Sequence, residues 1–228
     1  MILISSYYIS ENEKRNDEIK KCLEKNYENN YISKIYLLND MIYDLSFVKD
    51  LNKKIIQVII SEENNYKLKF SDSIKYINDN LEGEICILSN SDIYFDNTLS
   101  KINDSNISNI FFALLRYDED ENGKKNIFKN FDTPRNNSQD SWIFKSPLNI
   151  DFNKIDFSFG TLGCDSIFLF NVYDTGLKIS NPSLDIVTTH LHNSEFRTYN
   201  IDERIHGKYC LIDPSLLNKE PKIEIIDY

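Results

Sequence analysis

Only 6 glycines and 5 prolines punctuate 228 residues, so the chain has no flexible tract, and a content of 41% hydrophobic and 13% aromatic residues excludes disorder. The 4 cysteines (Cys22, Cys86, Cys164, Cys210) stand far apart, without the paired spacing of a zinc or thiol-redox motif. Cys22 and Cys86 fall on expected core faces and read as buried free thiols. No apolar run approaches the length of a membrane span, and the opening MILISSYYIS turns polar too soon for a secretory signal, so the expectation is a soluble, intracellular chain. Basic residues are in deficit as well. The 26 Lys and Arg against 36 Asp and Glu leave a net charge of -10, which repels a polyphosphate backbone and excludes a broad nucleic-acid footprint. A chain this acidic needs a divalent cation if it is to handle phosphates, although the excess is dispersed and also reads as a solvated surface.

What is present reads as one α/β domain, since the length encloses a single sizeable core. Residues 2–5 make a short apolar strand. Ser10 to Glu13 has the form of a capping box and opens a helix whose apolar positions Ile19, Cys22, Leu23 and Tyr27 recur at helical spacing. A second strand covers 32–38. A third covers 54–60 and is apolar enough to be covered on both faces, which implies parallel pairing. A helix through Ile74, Ile77 and Leu81 leads by Gly83 into the strand EICIL, so the first half is a series of βα units. The second half is less regular. NIFFALLRY (109–117) and SWIF (141–144) read as strands, a helix runs from Asp165 to about Asp174 and closes at Gly176, and LKIS and DIVTTHLH read as further strands. The tail beyond about residue 213 is expected only to pack along the surface.

The stretch SNSDIYFD follows the buried-looking strand ICIL, at the kind of strand end where open parallel sheets bind ligands. Asn90 and Asp92 are two apart in an extended segment, so an amide oxygen and a carboxylate project in one direction, as a hard cation requires. The competing reading is an ordinary turn, with Asp96 capping the helical turn NTLSKI. Two of the three histidines form HLH, and in a strand His190 and His192 share one face while Leu191 takes the other. A hydrogen-bonded packing role and a metal or phosphate contact weigh equally there. GTLGCD places Asp165 behind two glycines at a helix start, either as a cap or as a carboxylate on a pocket floor that can act as a general base. Asp140, next to the single tryptophan Trp142, presents a second such carboxylate, and local chemistry does not choose between them.

The ordered set SNSDIYFD, LLRYDED, SQDSWIF, FSFGTLGCD, SNPSLDI and HLHNSEFRTY resembles small glycosyltransferases, or glycosyltransferase-like proteins, of the GT-A fold found in giant DNA viruses, including chlorella viruses, and in bacteria. The resemblance runs from about residue 2 to about residue 200 and implies a single GT-A-like domain with a mixed, mainly parallel sheet flanked by helices. It implies a nucleotide-sugar-binding half over about 1–98, an acceptor half over about 99–213 and a tail over 214–228. The family's acidic metal motif maps onto Asn90, Ser91 and Asp92, with Asn departing from the acid at the first position. The implied activity is metal-dependent transfer from a UDP-sugar to a glycan or other hydroxyl acceptor, with inversion. Manganese is the expected ion and magnesium the second choice, held by Asp92 with His192, preferred as nearer the strand end, or with His190. By the same resemblance Asp165 is the general base and Asp140 the runner-up, with Trp142 as a stacking surface for a sugar. Nucleotide contacts fall on the loop of Ser5, Ser6, Tyr7 and Tyr8, on Asn39 and Asp40, and near Tyr66. Arg197 suits a diphosphate, which a guanidinium matches in a two-pronged geometry.

Two other classes stay in view. Asn90 in place of an acid supports a catalytically silent nucleotide-sugar-binding module. A metal-dependent phosphohydrolase using Asp92, His190 and His192 ranks lower, because such sites draw on a richer ligand set than 3 histidines provide.

Overall fold

Leu3 and Ile4, each almost wholly buried, point to opposite faces of strand β1 (Ile2–Ser5), which fixes it in the middle of a sheet covered on both sides. The structure, a computed structural model, describes residues 1–49, 54–63, 66–130, 133–134, 136–194 and 201–228. After β1 come α1 (Glu13–Glu28), β2 (Lys34–Asn39), β3 (Ile55–Ile59), α2 (Phe70–Asn80), β4 (Ile85–Ser89) and β5 (Ile93–Phe95). The middle of the chain gives α3 (Asp104–Ile107), β6 (Ile110–Leu115), β7 (Tyr117–Glu119), β8 (Lys125–Ile127), β9 (Lys129–Asn130), β10 (Thr133–Pro134) and β11 (Gln139–Lys145). It ends with α4 (Cys164–Asp174), β12 (Lys178–Ser180), β13 (Thr188–His190), β14 (Lys208–Ile212) and β15 (Ile223–Asp227).

The central sheet has 7 strands in the order β12-β6-β11-β4-β1-β2-β3. All its pairings are parallel except those of β11, which runs against both β4 and β6. This is the mixed, mainly parallel sheet that the sequence resemblance implies. Leu88, Phe111 and Trp142 pack with Phe70 of α2 and Phe168 of α4 on one face. Ile87, Phe112 and Ile143 pack with Ile19 and Leu23 of α1 on the other.

A second, 4-stranded sheet of order β5-β13-β7-β8 sits where β4 and β6 end. The chain leaves β4 through residues 90–92 into β5, and leaves β6 through Arg116 into β7. Because β11 is antiparallel, its first residues lie at the same edge, with Ser141 opposite Ser89 and Gln139 opposite Leu115. One edge therefore collects the polar residues that end the strands.

Several expectations change. β3 is the outer strand of the sheet, and Ile56 and Ile59 are 40% and 47% exposed, so it is not covered on both faces. The cap of α1 is Asn12, whose side chain accepts from the Arg15 amide at 3.0 Å; Ser10 only supports it, its hydroxyl accepting from the Asn12 amide at 3.1 Å. Trp142 is fully buried against Phe70, Phe159 and Phe168 and offers no stacking surface to a sugar. The tail is more than a surface strap: β15 pairs along the whole of β14, and Tyr228 stacks on Tyr209. Asp96 does cap the turn that follows it, accepting from the Thr98 amide at 2.9 Å, and all 4 cysteines are free and buried. Among the described residues no helix is long and apolar enough to cross a membrane.

Candidate active site

Asp92, in the turn that joins β4 to β5, is buried, and it meets β13 and α1 rather than solvent. Its Oδ2 lies 2.5 Å from an Arg15 nitrogen, 3.1 Å from His190 Nε2 and 3.8 Å from His192 Nδ1. The three candidate metal ligands, Asp92, His190 and His192, can each offer one atom to a common point, these atoms lying within 4.8 Å of one another. Pairing of β13 with β5 places His190 opposite Ile93, which brings the histidines to Asp92 across 98 residues of sequence. Asp92 Oδ1 and His192 Nε2 are buried and have no hydrogen-bond partner.

The second nitrogen of His190 donates to Asp118 at 2.9 Å. Burial alone would lower this imidazole, but Asp92 and Asp118 on its two sides push it up to about 9. Burial would likewise raise Asp92, yet the charges of His190 and Arg15 outweigh it and hold the carboxylate well below the usual range. Helix α1 completes the enclosure. Arg15 also donates to the Leu191 carbonyl at 3.2 Å, and Glu18 accepts from the Ser194 amide and hydroxyl at 2.7 and 2.9 Å, which ties down the chain on both sides of His192.

Asp140 stands at an irregularity of β11, where the register against β6 shifts between Gln139 and Ser141. A bulge of this kind re-aims a side chain out of the regular alternation. One Asp140 oxygen accepts from Asn90 Nδ2 at 2.8 Å and the other from Arg116 at 2.9 Å. Arg116 also reaches Asp118 at 3.1 Å and lies over the Phe128 ring at 4.1 Å. A continuous chain of charges thus runs from Arg15 through Asp92, His190, Asp118 and Arg116 to Asp140.

Asp165 is in the first turn of α4, with Gly163 rather than Asp165 itself at the cap position. Desolvation, and then the charge of Asp140, push its carboxyl up to about 7. The Cys164 thiol lies 3.1 Å from one of its oxygens. Gly163 has φ +88°, and a Cβ there would stand 2.0 Å from the Tyr209 hydroxyl, which is itself anchored on the Ile205 carbonyl at 2.7 Å. Gly163→Ala is therefore expected to lose about 2–4 kcal/mol, the left-handed backbone and the overlap contributing together. Chemical denaturation measures this directly; a loss under about 0.5 kcal/mol would show that the turn relaxes without strain.

The nucleotide candidates are spread along the same edge. Ser6, Tyr7, Asn90 and Ser91 line one small cavity at the ends of β1 and β4. The Tyr7 amide donates to Asn39 Oδ1 at 2.8 Å, and its ring packs on Tyr43 and Phe47. Asp40 accepts from the Tyr43 hydroxyl at 2.7 Å. Tyr66 stands apart, its hydroxyl bonded to Asp72 in the first turn of α2. Arg197 lies outside the described residues. A larger cavity opens on another face, lined by Tyr173, Lys178 and Glu220 among others, where Lys178 and Glu220 are already paired at 3.0 Å.

Sequence reasoning did not single out Arg15, Asp118 or Arg116. For Arg15 a signal exists: it lies one turn before Ile19 on the buried stripe of α1, where a guanidinium requires a buried anion. Arg116 and Asp118 carry no such periodic mark.

No protein-family model and no curated protein matches the chain. Among solved structures it is similar to the mannosyltransferase PcManGT of Pyrobaculum calidifontis in complex with GDP-Man and Mn2+, at 10% identity and a TM-score of 0.49 over 84% of this chain and 55% of that one. It is similar to TarS 1-349 of S. aureus in complex with UDP-GlcNAc, at 14% identity and a TM-score of 0.48 over 87% of this chain and 57% of that one. A third likeness is to 4-diphosphocytidyl-2C-methyl-D-erythritol synthase of Anaerococcus prevotii, at 14% identity and a TM-score of 0.43 over 89% of this chain and 93% of that one. The chain spans little more than half the length of the first two.

Proposed function

We propose that the chain transfers a sugar from a nucleoside-diphosphate sugar, with UDP-sugars the first to test, to a hydroxyl acceptor with inversion, and that Asp92, His190 and His192 hold a divalent cation. The supporting observation is convergence: Asn90 and Asp92 after β4, Asp140 at the start of β11 and the two histidines of residues 190–192 meet through direct contacts at one sheet edge. Asp165 is assigned to the same site because the charge of Asp140, after burial, helps push its carboxyl up.

The residues present suit a cation. Asp92 Oδ1 and His192 Nε2 are buried donor atoms without partners, and His190 is held by a carboxylate on its far nitrogen, as metal-bound histidines usually are. One carboxylate with imidazoles suits manganese before magnesium. When bound, the ion would neutralise charge that develops on the departing diphosphate. The other steps belong to side chains. The acceptor oxygen bonds to the anomeric carbon as the bond to the diphosphate breaks, and its proton passes to Asp165, whose elevated pKa is matched to a neutral working pH. Asp140, fixed by Asn90 and Arg116, accepts hydrogen bonds from sugar hydroxyls and keeps Asp165 basic. Ser6, Tyr7, Asp40, Tyr66, Ser91 and Arg197 are assigned to the nucleotide.

A silent binding module is the second reading, favoured by Arg15 on Asp92 and by Asn90 being engaged with Asp140. Calorimetric titration with UDP and a panel of UDP-sugars, with and without manganese, tests both. Manganese-dependent binding followed by turnover of the preferred donor is the expected result. Binding without turnover of any donor would favour the silent module, and no binding under any condition would reject both readings.

A further inference from the structure

Arg15 is a buried cation in contact with the single carboxylate of the ligand set. Its guanidinium touches Asp92 Oδ2 at 2.5 Å, and both side chains are only 9% exposed. The neighbouring acids are already engaged, and Glu18 shares the Arg15 guanidinium at 3.2 Å. Glu18 divides between Arg15 and Ser194, Asp118 between His190 and Arg116, and Asp140 between Asn90 and Arg116. An ion arriving alone at Asp92 would thus meet one negative charge that the Arg15 guanidinium and the His190 imidazole already share, and would add a further cation beside them.

We infer that Arg15 sets the affinity of this site for its cation: it neutralises Asp92 in the ion-free protein, so the cation binds together with a diphosphate rather than ahead of it. This rests on the cation reading given above. The diphosphate supplies the negative charge that makes ion and guanidinium compatible, and the two ligands are then positively coupled. Arg15 acts through Asp92 and is a positioning residue.

The test is calorimetry with MnCl2 alone, UDP alone and MnCl2 at saturating UDP, on wild type, Arg15→Gln, Arg15→Lys and Asp92→Asn. Wild type is expected to bind manganese at least about tenfold more weakly without UDP than with it, and Arg15→Gln is expected to tighten manganese binding without UDP by at least about tenfold. Damage to the fold would weaken binding, so a gain reads the charge effect alone. Arg15→Lys keeps the charge and is expected to behave as wild type. If Arg15→Gln does not fold, the coupling in wild type and the behaviour of Arg15→Lys still decide. Equal manganese affinity in wild type with and without UDP would overturn the inference, as would a folded Arg15→Gln that gains nothing. If instead UDP binds without regard to manganese and Asp92→Asn binds it as wild type does, the cation reading itself fails, and the inference with it.

Discussion

Asp92→Ala is expected to abolish manganese-dependent nucleotide binding, weakening it by at least about a hundredfold, and to destabilise the fold by about 3–5 kcal/mol. The first effect follows from the proposed ligand set, because Asp92 is the one carboxylate among the clustered donors. The second follows from burial: Arg15 and His190 each keep a charge that Asp92 offsets at 2.5 and 3.1 Å, and a buried ion without its partner carries its full desolvation penalty. The two effects can be separated. In the double variant Arg15→Met with Asp92→Leu the orphaned guanidinium is gone, so stability is expected to recover in part while manganese-dependent UDP binding stays absent. Urea denaturation and calorimetry read the two quantities independently. A single Asp92→Ala variant that still binds UDP with undiminished manganese dependence would remove this residue from the site.

Much of the fold was legible because buried parallel strands carry continuous apolar runs. Residues 2–5, 32–38 and the run EICIL read as strands from that property and correspond to β1, β2 and β4, and the two histidines separated by Leu191 do converge on Asp92. The same rule failed at β3, since an apolar run does not reveal that its strand lies at the sheet's edge with Ile56 and Ile59 uncovered. Trp142 misled for a similar reason. An aromatic two residues from a carboxylate in a strand suggests a sugar platform on one face, but the register shift between Gln139 and Ser141 breaks the alternation, so Asp140 turns to Asn90 and Arg116 while Trp142 goes to the core. The bulge that frees Asp140 is a property of two strands in register, which no single segment displays. The charge network was the least visible part. Arg15 finds Asp92 across 77 residues and Arg116 finds Asp140 across 24, and ion pairing over such separations leaves no periodicity to read. Only the guanidinium on the apolar stripe of α1 announces that something negative must face it.

Asp165→Asn is expected to remove transfer while leaving nucleotide binding intact, and also to raise stability above neutral pH. In the proposed reaction Asp165 takes the acceptor's proton, and a positioned base contributes about 10²–10⁴ in rate, so on that proposal kcat is expected to fall by that factor with UDP affinity unchanged. In the wild type, kcat should rise as Asp165 ionises and level off above its pKa of about 7. Asp140→Asn should move that midpoint downward, because the charge of Asp140 is the second cause of the elevation after burial. The stability effect has the opposite sense. The folded state holds this proton more tightly than the unfolded chain, whose carboxyl titrates near 4, so folding is favoured by protonation and stability falls as pH rises from about 4 through about 7. The amide cannot ionise and escapes that loss, so the variant should gain on the order of 4 kcal/mol at pH 8 and little at pH 4. Thermal melts of both proteins at the two pH values test the physics, and single-turnover assays with the preferred UDP-sugar test the chemistry. A variant that melts higher at pH 8 yet transfers sugar normally would leave Asp165 a strained but uncatalytic carboxyl. One that loses transfer with an equal shift in melting temperature at both pH values would owe its loss to altered structure, and the base would then have to be sought in Asp140.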